Sequence, residues 1–214
     1  MTDKLLDIIK KEYPLREYSV GDFAEIKAGG MKFSVKSYRA EGLGHVSVMS
    51  ATGFFGLMKM DTLIIVPTEK DLPLYSYDRI YAMGNDTLIV ELYDTLINSS
   101  DFSALAEAKS HYAYLPERDP GEHWYDSIKL SESISKKGKR AQSAELDALL
   151  TKHFDAYLSL SASSVSDVTK KKELSARYVD GLLTKGGPST DVFKKAIGEE
   201  KTARLFREVL FGIA

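Results

Sequence analysis

Cysteine is absent from these 214 residues, which excludes disulfides, thiol catalysis and iron–sulfur or zinc–thiolate sites built from the chain's own ligands. No apolar run approaches the roughly 18 residues of a membrane helix, and the opening Met1-Thr2-Asp3-Lys4-Leu5-Leu6 lacks a secretory pattern. An excess of charge of either sign is also missing: 29 Lys and Arg against 31 Asp and Glu leave a net −2, with no global pull towards nucleic acid or an anionic membrane. Nothing resembles HExxH, a P-loop, GxGxxG or a nucleophile elbow; Gly84-Asn85 and Gly186-Gly187 read as turns. These absences lead to the expectation of a cytoplasmic protein with no metal site, no nucleic-acid partner and no membrane.

An apolar content of 43% and a charged content of 28% are those of a soluble globular protein, and the length suits one domain spanning 1–214 with a substantial core. Leu5, Leu6, Ile8, Ile9 and Tyr13 predict a helix over 3–13, ended near Pro14. Alternation or apolar runs predict strands over 31–37, 45–49, 61–66, 74–82 and 87–93. Helical patterns follow over 101–112, 143–160 and about 170–183, the last closed by Gly186-Gly187-Pro188. A final helix starts at the Ser189/Thr190 cap. Strands first and helices afterwards imply α+β, one antiparallel sheet covered by helices.

The most informative residue is Asp78, inside the strand Leu74-Tyr75-Ser76-Tyr77-Asp78-Arg79-Ile80-Tyr81. Alternation puts it on a face with Leu74, Ser76 and Ile80, and puts Tyr75, Tyr77, Arg79 and Tyr81 on the other. A carboxylate among apolar neighbours needs a partner, a raised pKa or a job. A two-residue type II′ turn at Gly84-Asn85 would set Glu91 directly across from Asp78; the pair would repel and one pKa would rise. That is the protonation state general acid catalysis requires. A longer loop would separate the acids, and Glu91 would then pair with Arg79 or a lysine. His45 lies on the same expected sheet with Ser47 and Met49 as parity mates, a position that suits a structural histidine as well as a functional one. The runs Lys136-Lys137-Gly138-Lys139-Arg140 and Lys170-Lys171-Lys172 read either as solvated loop or helix surface or as a docking patch for an acidic partner.

Several segments, in order, resemble ferredoxin-dependent bilin reductases. Val66-Pro67 and Leu72-Pro73-Leu74-Tyr75-Ser76-Tyr77-Asp78 are similar to that family's Phe-Pro and Leu-Pro-Leu-Phe-Gly-x-Asp elements. Glu91-Leu92 stands where the family has Asp-Leu-Ser-Pro, and Leu115-Pro116 with Trp124-Tyr125 looks like a stretched Leu-Pro-x-Trp segment. Phe193-Lys194-Lys195-Ala196-Ile197-Gly198, leading to Val209-Leu210-Phe211, resembles the closing helix. The resemblance, which extends to a close relative in the superfamily of red chlorophyll catabolite reductase, implies an α/β/α sandwich around a central antiparallel sheet. It further implies a linear tetrapyrrole as substrate, ferredoxin as electron donor and no cofactor bound by the chain. Asp78 falls on the family's proton-donating aspartate and His45 close to the histidine that works beside it, with Glu91 tuning or relaying protons. Ser76, Thr62, Ser47 and Asp191 fall at or near substrate-binding positions. The chain departs from the pattern where Ser47 replaces a glutamate, Thr62 a histidine, and Gly186-Gly187 an acid before the last helix, Asp191 being the nearest carboxylate. A non-catalytic tetrapyrrole-binding protein of the same fold is the alternative.

Overall fold

In the computed structural model, which describes residues 1–187 and 189–213, eight antiparallel strands form one sheet. They are β1 (Leu15–Tyr18), β2 (Glu25–Ala28), β3 (Met31–Ala40), β4 (Gly44–Gly53), β5 (Met58–Pro67), β6 (Leu74–Ala82), β7 (Asn85–Tyr93) and β8 (Ile134–Lys139). The order is β1-β3-β4-β5-β6-β7-β8, with β2 continuing the edge beyond β1 by pairing with β3. Short turns between β3 and β7 make a meander, as the short connections in the sequence imply. The short strands β1, β2 and β8 carry too little alternation to be visible in the sequence.

Each face of the sheet is apolar at alternate positions, so each needs a cover. Tyr38, Val46, Leu63, Ile65, Tyr75, Tyr77, Val90 and Leu92 pack on one side with Leu5, Ile9, Leu105, Leu149 and Phe154, which come from α1 (Thr2–Glu12), α2 (Ser103–Ser110) and α3 (Ser143–Leu158). Phe33, Val35, Met49, Ile64, Val66, Leu74 and Tyr93 pack on the other with Val179, Leu182, Phe193, Phe206 and Val209. That second cover is α4 (Val168–Lys185), α5 (Thr190–Ile197), α6 (Glu199–Arg204) and a π-helical turn, Leu205–Leu210. The result is the α/β/α sandwich. The expected final helix is divided, because Gly198 takes φ +82° between α5 and α6, a left-handed conformation open to glycine. Pro188, part of the expected helix stop, lies outside the described residues. Among the described residues no helix is long and apolar enough to cross a membrane.

Two features of the strand reading change. The β6–β7 turn is Met83-Gly84, both at positive φ (52° and 75°), so glycine holds the second central position of a type I′-like turn. Ala82 therefore pairs with Asn85, and Asp78 faces Ile89 while Glu91 faces Ser76. The shift is two residues, so parity survives and both acids stay on one face. The basic run 136–140 is neither loop nor helix: it lies mainly in edge strand β8, and Lys136 is buried, its Nζ donating to the Leu115 carbonyl at 2.9 Å and to Glu117 at 2.6 Å. Lys171 is likewise buried, donating to Asp71, Leu72 O and Thr95 O. Neither lysine is available to an acidic partner.

Candidate functional site

Asp78 sits midway along β6 with Thr62 of β5 opposite it on one side and Ile89 of β7 on the other. Thr62 Oγ1 donates to Asp78 Oδ1 at 2.5 Å. No arginine or lysine reaches the carboxyl among the described residues. Arg79, the next residue, points to the other face and is taken by Asp86 and Asp147. Asp78 keeps an opening to solvent, yet protein packed around its carboxyl strips water from it. Burial pushes its pKa up to about 6; the Thr62 hydrogen bond pulls the other way, and the negative charge of Glu91 adds to the rise. The raised carboxyl expected from the sequence is thus Asp78, although desolvation is a larger cause than repulsion.

Glu91, diagonal to Asp78, accepts from Tyr93 Oη at 2.6 Å and has Lys129 Nζ 4.0 Å away. The Tyr93 ring lies 4.0 Å from that of Tyr178, and Tyr125 stands edge-on to Tyr93 at 5.6 Å. Burial raises the phenol pKa of Tyr125 and Tyr178, and both feel the negative charges of Glu91 and Asp78. The tyrosines therefore stay protonated as donors beside two acids. Around this cluster Met60, Ser76, Asp78, Ile80, Ile89 and Glu91 are each half-buried and adjacent in register. They make an incompletely covered strip on the sheet face, bordered by Trp124 and Tyr125. Trp124 is held there by its indole N–H, which donates to the Gly186 carbonyl at 2.9 Å, and by Gly181, where any Cβ would collide with the indole ring.

His45 is not part of this cluster. It pairs with Val66, whereas the row of Asp78 runs through Thr62 and Met49. Two strands and four residues separate it from Asp78, on the order of 15 Å. It borders a different hollow, of about 640 Å³, with Tyr18, Arg39, Glu69 and Lys172. Its ring is used in holding the C-terminal turn. Because the Val209 carbonyl can only accept, Nε2 carries the proton and donates at 2.9 Å, leaving Nδ1 to accept from Tyr18 Oη at 2.6 Å. Ser37 donates to the same carbonyl and Ser47 to that of Leu210, both at 2.7 Å. Gly212, at φ +58°, passes so close to the imidazole that a Cβ would collide with it. Contrary to the expectation from the sequence, the structure does not bring His45 and Ser47 beside Asp78: both bind the turn at 209–210, satisfying carbonyls that the π-helical turn leaves free. Asp191 is exposed on α5 and lies near Gly186. Tyr93 was legible from parity with Glu91; Tyr125, Tyr178 and Lys129 come from distant segments and carry no local signal.

Burial depresses His45 to about 4, and the same holds for His153, whose Nε2 donates to the Glu132 carbonyl. Both favour folding fully above the unfolded value of 6.5 and lose that contribution as pH falls through about 4. His153→Phe is therefore expected to unfold with about one proton fewer taken up than the parent between pH 6.5 and 4, read from denaturant unfolding at several pH values. Equal pH dependence in the two proteins contradicts a buried neutral imidazole.

No model of a protein family matches the sequence, and no curated protein does. The fold has a counterpart among solved structures. One such structure matches over 99% of this chain and 82% of its own length, with a TM-score of 0.78 at 15% identity. That structure is phytochromobilin synthase from tomato in complex with biliverdin. The architecture inferred from the ordered motifs is therefore the one the chain adopts.

Proposed function

We propose that this protein is an oxidoreductase that reduces a linear tetrapyrrole with electrons from reduced ferredoxin, Asp78 supplying a proton. The observation that carries the reading is a carboxyl with a pKa of about 6 on an incompletely covered, tyrosine-bordered strip of a sheet whose fold is shared with a biliverdin-binding enzyme. A flat conjugated molecule suits such a strip: its faces meet Met60, Ile80 and Ile89, and its polar edge meets Asp78, Ser76 and Thr62. Saturating one double bond takes two electrons and two protons. The electrons come singly from ferredoxin. After the first, Asp78 gives one proton to the bilin radical anion and recovers it from water through the opening that its side chain retains. After the second electron Asp78 gives the second proton and is again reprotonated from water. Tyr93 and Lys129 hold Glu91 in place, where its charge adds to the rise of the Asp78 pKa. Lys137, Lys139 and Arg140, still exposed on and after β8, suit the approach of an acidic ferredoxin.

The corrected place of His45 favours one other reading. With that imidazole committed to the C-terminal turn, and Thr62 in place of a histidine, the proton relay is shorter than the resemblance implies. The same strip would then bind a tetrapyrrole without reducing it. Two measurements separate the cases. Biliverdin added to the protein is expected to change its visible spectrum with saturation, and reduced ferredoxin added without oxygen is expected to bleach or shift the bound band. A saturating spectral change followed by no reduction supports the binding-only reading; no spectral change at all removes both.

A further inference from the structure

At the far end of the sheet from the C-terminal turn, four large apolar side chains stand in water. Phe54, Phe55 and Leu57 in the β4–β5 turn are 55%, 108% and 75% exposed, and Met83 in the β6–β7 turn is 92% exposed. Met58 pairs with Ala82, so the two turns leave the sheet side by side. Phe54 and Phe55 are also at positive φ, as is Met83, where the type I′-like turn requires it. Left-handed backbone is disfavoured for bulky side chains and persists where the surroundings or a function maintain it. Nothing packs on Phe55, so packing does not account for it.

Directly behind the tips lies a cross-strand row, Lys27–Lys32–Thr52–Lys59. Lys27 and Lys32 are directly opposed, an arrangement that repels. Lys32 is compensated by Glu25 at 2.8 Å; Lys27 and Lys59 have no carboxylate within ion-pair distance among the described residues. Asp61, two residues beyond Lys59 along β5, faces the N-terminal amine at 3.7 Å, and Asp86, further along the same row, is taken by Arg79. Lys27, Lys32, Phe54 and Phe55 line a shallow hollow of about 630 Å³, where ammonium groups and apolar carbon meet. Three features costly to a free protein thus coincide: apolar side chains in water, left-handed backbone, and facing lysines.

We propose that this end of the sheet docks on an anionic lipid bilayer, the four apolar tips entering the interfacial layer and the lysine row meeting the headgroups. A convex tip such as Phe55 needs no matching groove in a soft apolar phase, whereas a protein partner would have to supply one. The lysines fit the negative surface potential of anionic leaflets, and aromatic side chains suit the interface. The overall charge of −2 does not oppose this, because surface charges act within a Debye length.

The full chain is mixed with phosphatidylcholine vesicles with and without phosphatidylserine and floated on a density gradient. About tenfold stronger association with the anionic vesicles is expected, falling with added salt. Association is expected to vanish in Phe54→Ser/Phe55→Ser/Leu57→Ser and to weaken in Lys27→Glu/Lys59→Glu. All of these side chains lie outside both cores, and an unchanged unfolding midpoint confirms the fold. Phe55→Trp is expected to show a blue-shifted emission increment over the parent when anionic vesicles are added. The proposal is overturned if the parent floats with neither vesicle, if it floats equally with both, or if the triple variant floats like the parent. Self-association abolished by the triple variant without flotation, or capture by an acidic polypeptide without flotation, would assign the surface to another occupant and equally overturn it.

Discussion

Asp78→Asn is expected to bind biliverdin with a near-parental spectrum and to lose about 10²–10⁴-fold in the rate of its reduction by ferredoxin, the range a positioned proton donor contributes. The amide keeps the shape and the hydrogen bond from Thr62 but has no acidic proton to give. In the parent, kcat is expected to fall as pH rises through about 6, where Asp78 ionises. Thr62→Val removes the hydrogen bond that favours the carboxylate and is expected to move that limb to higher pH, a shift that a merely structural Asp78 would not produce. With rising pH stability should fall together with activity, whereas the Asp78→Asn substitution should move the two in opposite directions. The folded-state pKa lies above the unfolded value of 3.8, so the favourable contribution is present below about pH 4 and lost as pH rises through 6. Above that the ionised acid costs the folded state about 1–3 kcal/mol. Asp78→Asn should therefore unfold at higher denaturant than the parent at pH 8 and at the same concentration at pH 4. Parental turnover in Asp78→Asn would remove the proton-donor assignment whatever the stability data show.

The second large effect belongs to the opposite face. Arg79 and Asp86 are fully buried; the guanidinium donates through Nε and Nη2 to the Asp86 carboxylate and through Nη2 to the Ser143 carbonyl at 3.2 Å. Ser143 Oγ donates to the same carboxylate and Asp147 lies 3.2 Å from Nη2. The network ties the first turn of α3 to the β6–β7 hairpin. Removing one buried partner strands the other charge, and Arg79→Met is expected to cost about 3–5 kcal/mol, a large share of the roughly 5–15 kcal/mol that holds a domain together. Arg79→Met/Asp86→Leu should recover most of that loss, because apolar groups of similar volume replace a buried pair at little net cost. Urea unfolding with an unchanged slope is the measurement. A double variant as unstable as the single one would mean the pair contributes more than the relief of a stranded charge.

Much of the architecture was legible from alternation. Asp78, Ser76 and Glu91 fall on one face and Arg79 with its tyrosine neighbours on the other; a strand's period of two leaves no other choice once the strand is recognised. Register was harder. Gly84 suits the first or the second central position of a tight turn, and only the strand pairing decides which. The resulting two-residue shift put Ile89 opposite Asp78 and left Glu91 diagonal. Lys136 and Lys171 looked like solvated charge because burial of an ammonium depends on acceptors such as the Leu115 and Thr95 carbonyls, which lie far along the chain.

From its composition and periodicity alone the chain declared a cysteine-free α+β protein, one antiparallel sheet covered by helices, with a carboxylate in the middle of a strand, because those properties are local and repeat every two or four residues. Tertiary structure alone decided that Asp78 meets Thr62 and the Tyr93–Tyr125–Tyr178 cluster, while His45 is spent on the Val209 carbonyl. Residues from opposite ends of the sequence meet there, and no local pattern encodes which of them share the same few ångströms of desolvated space.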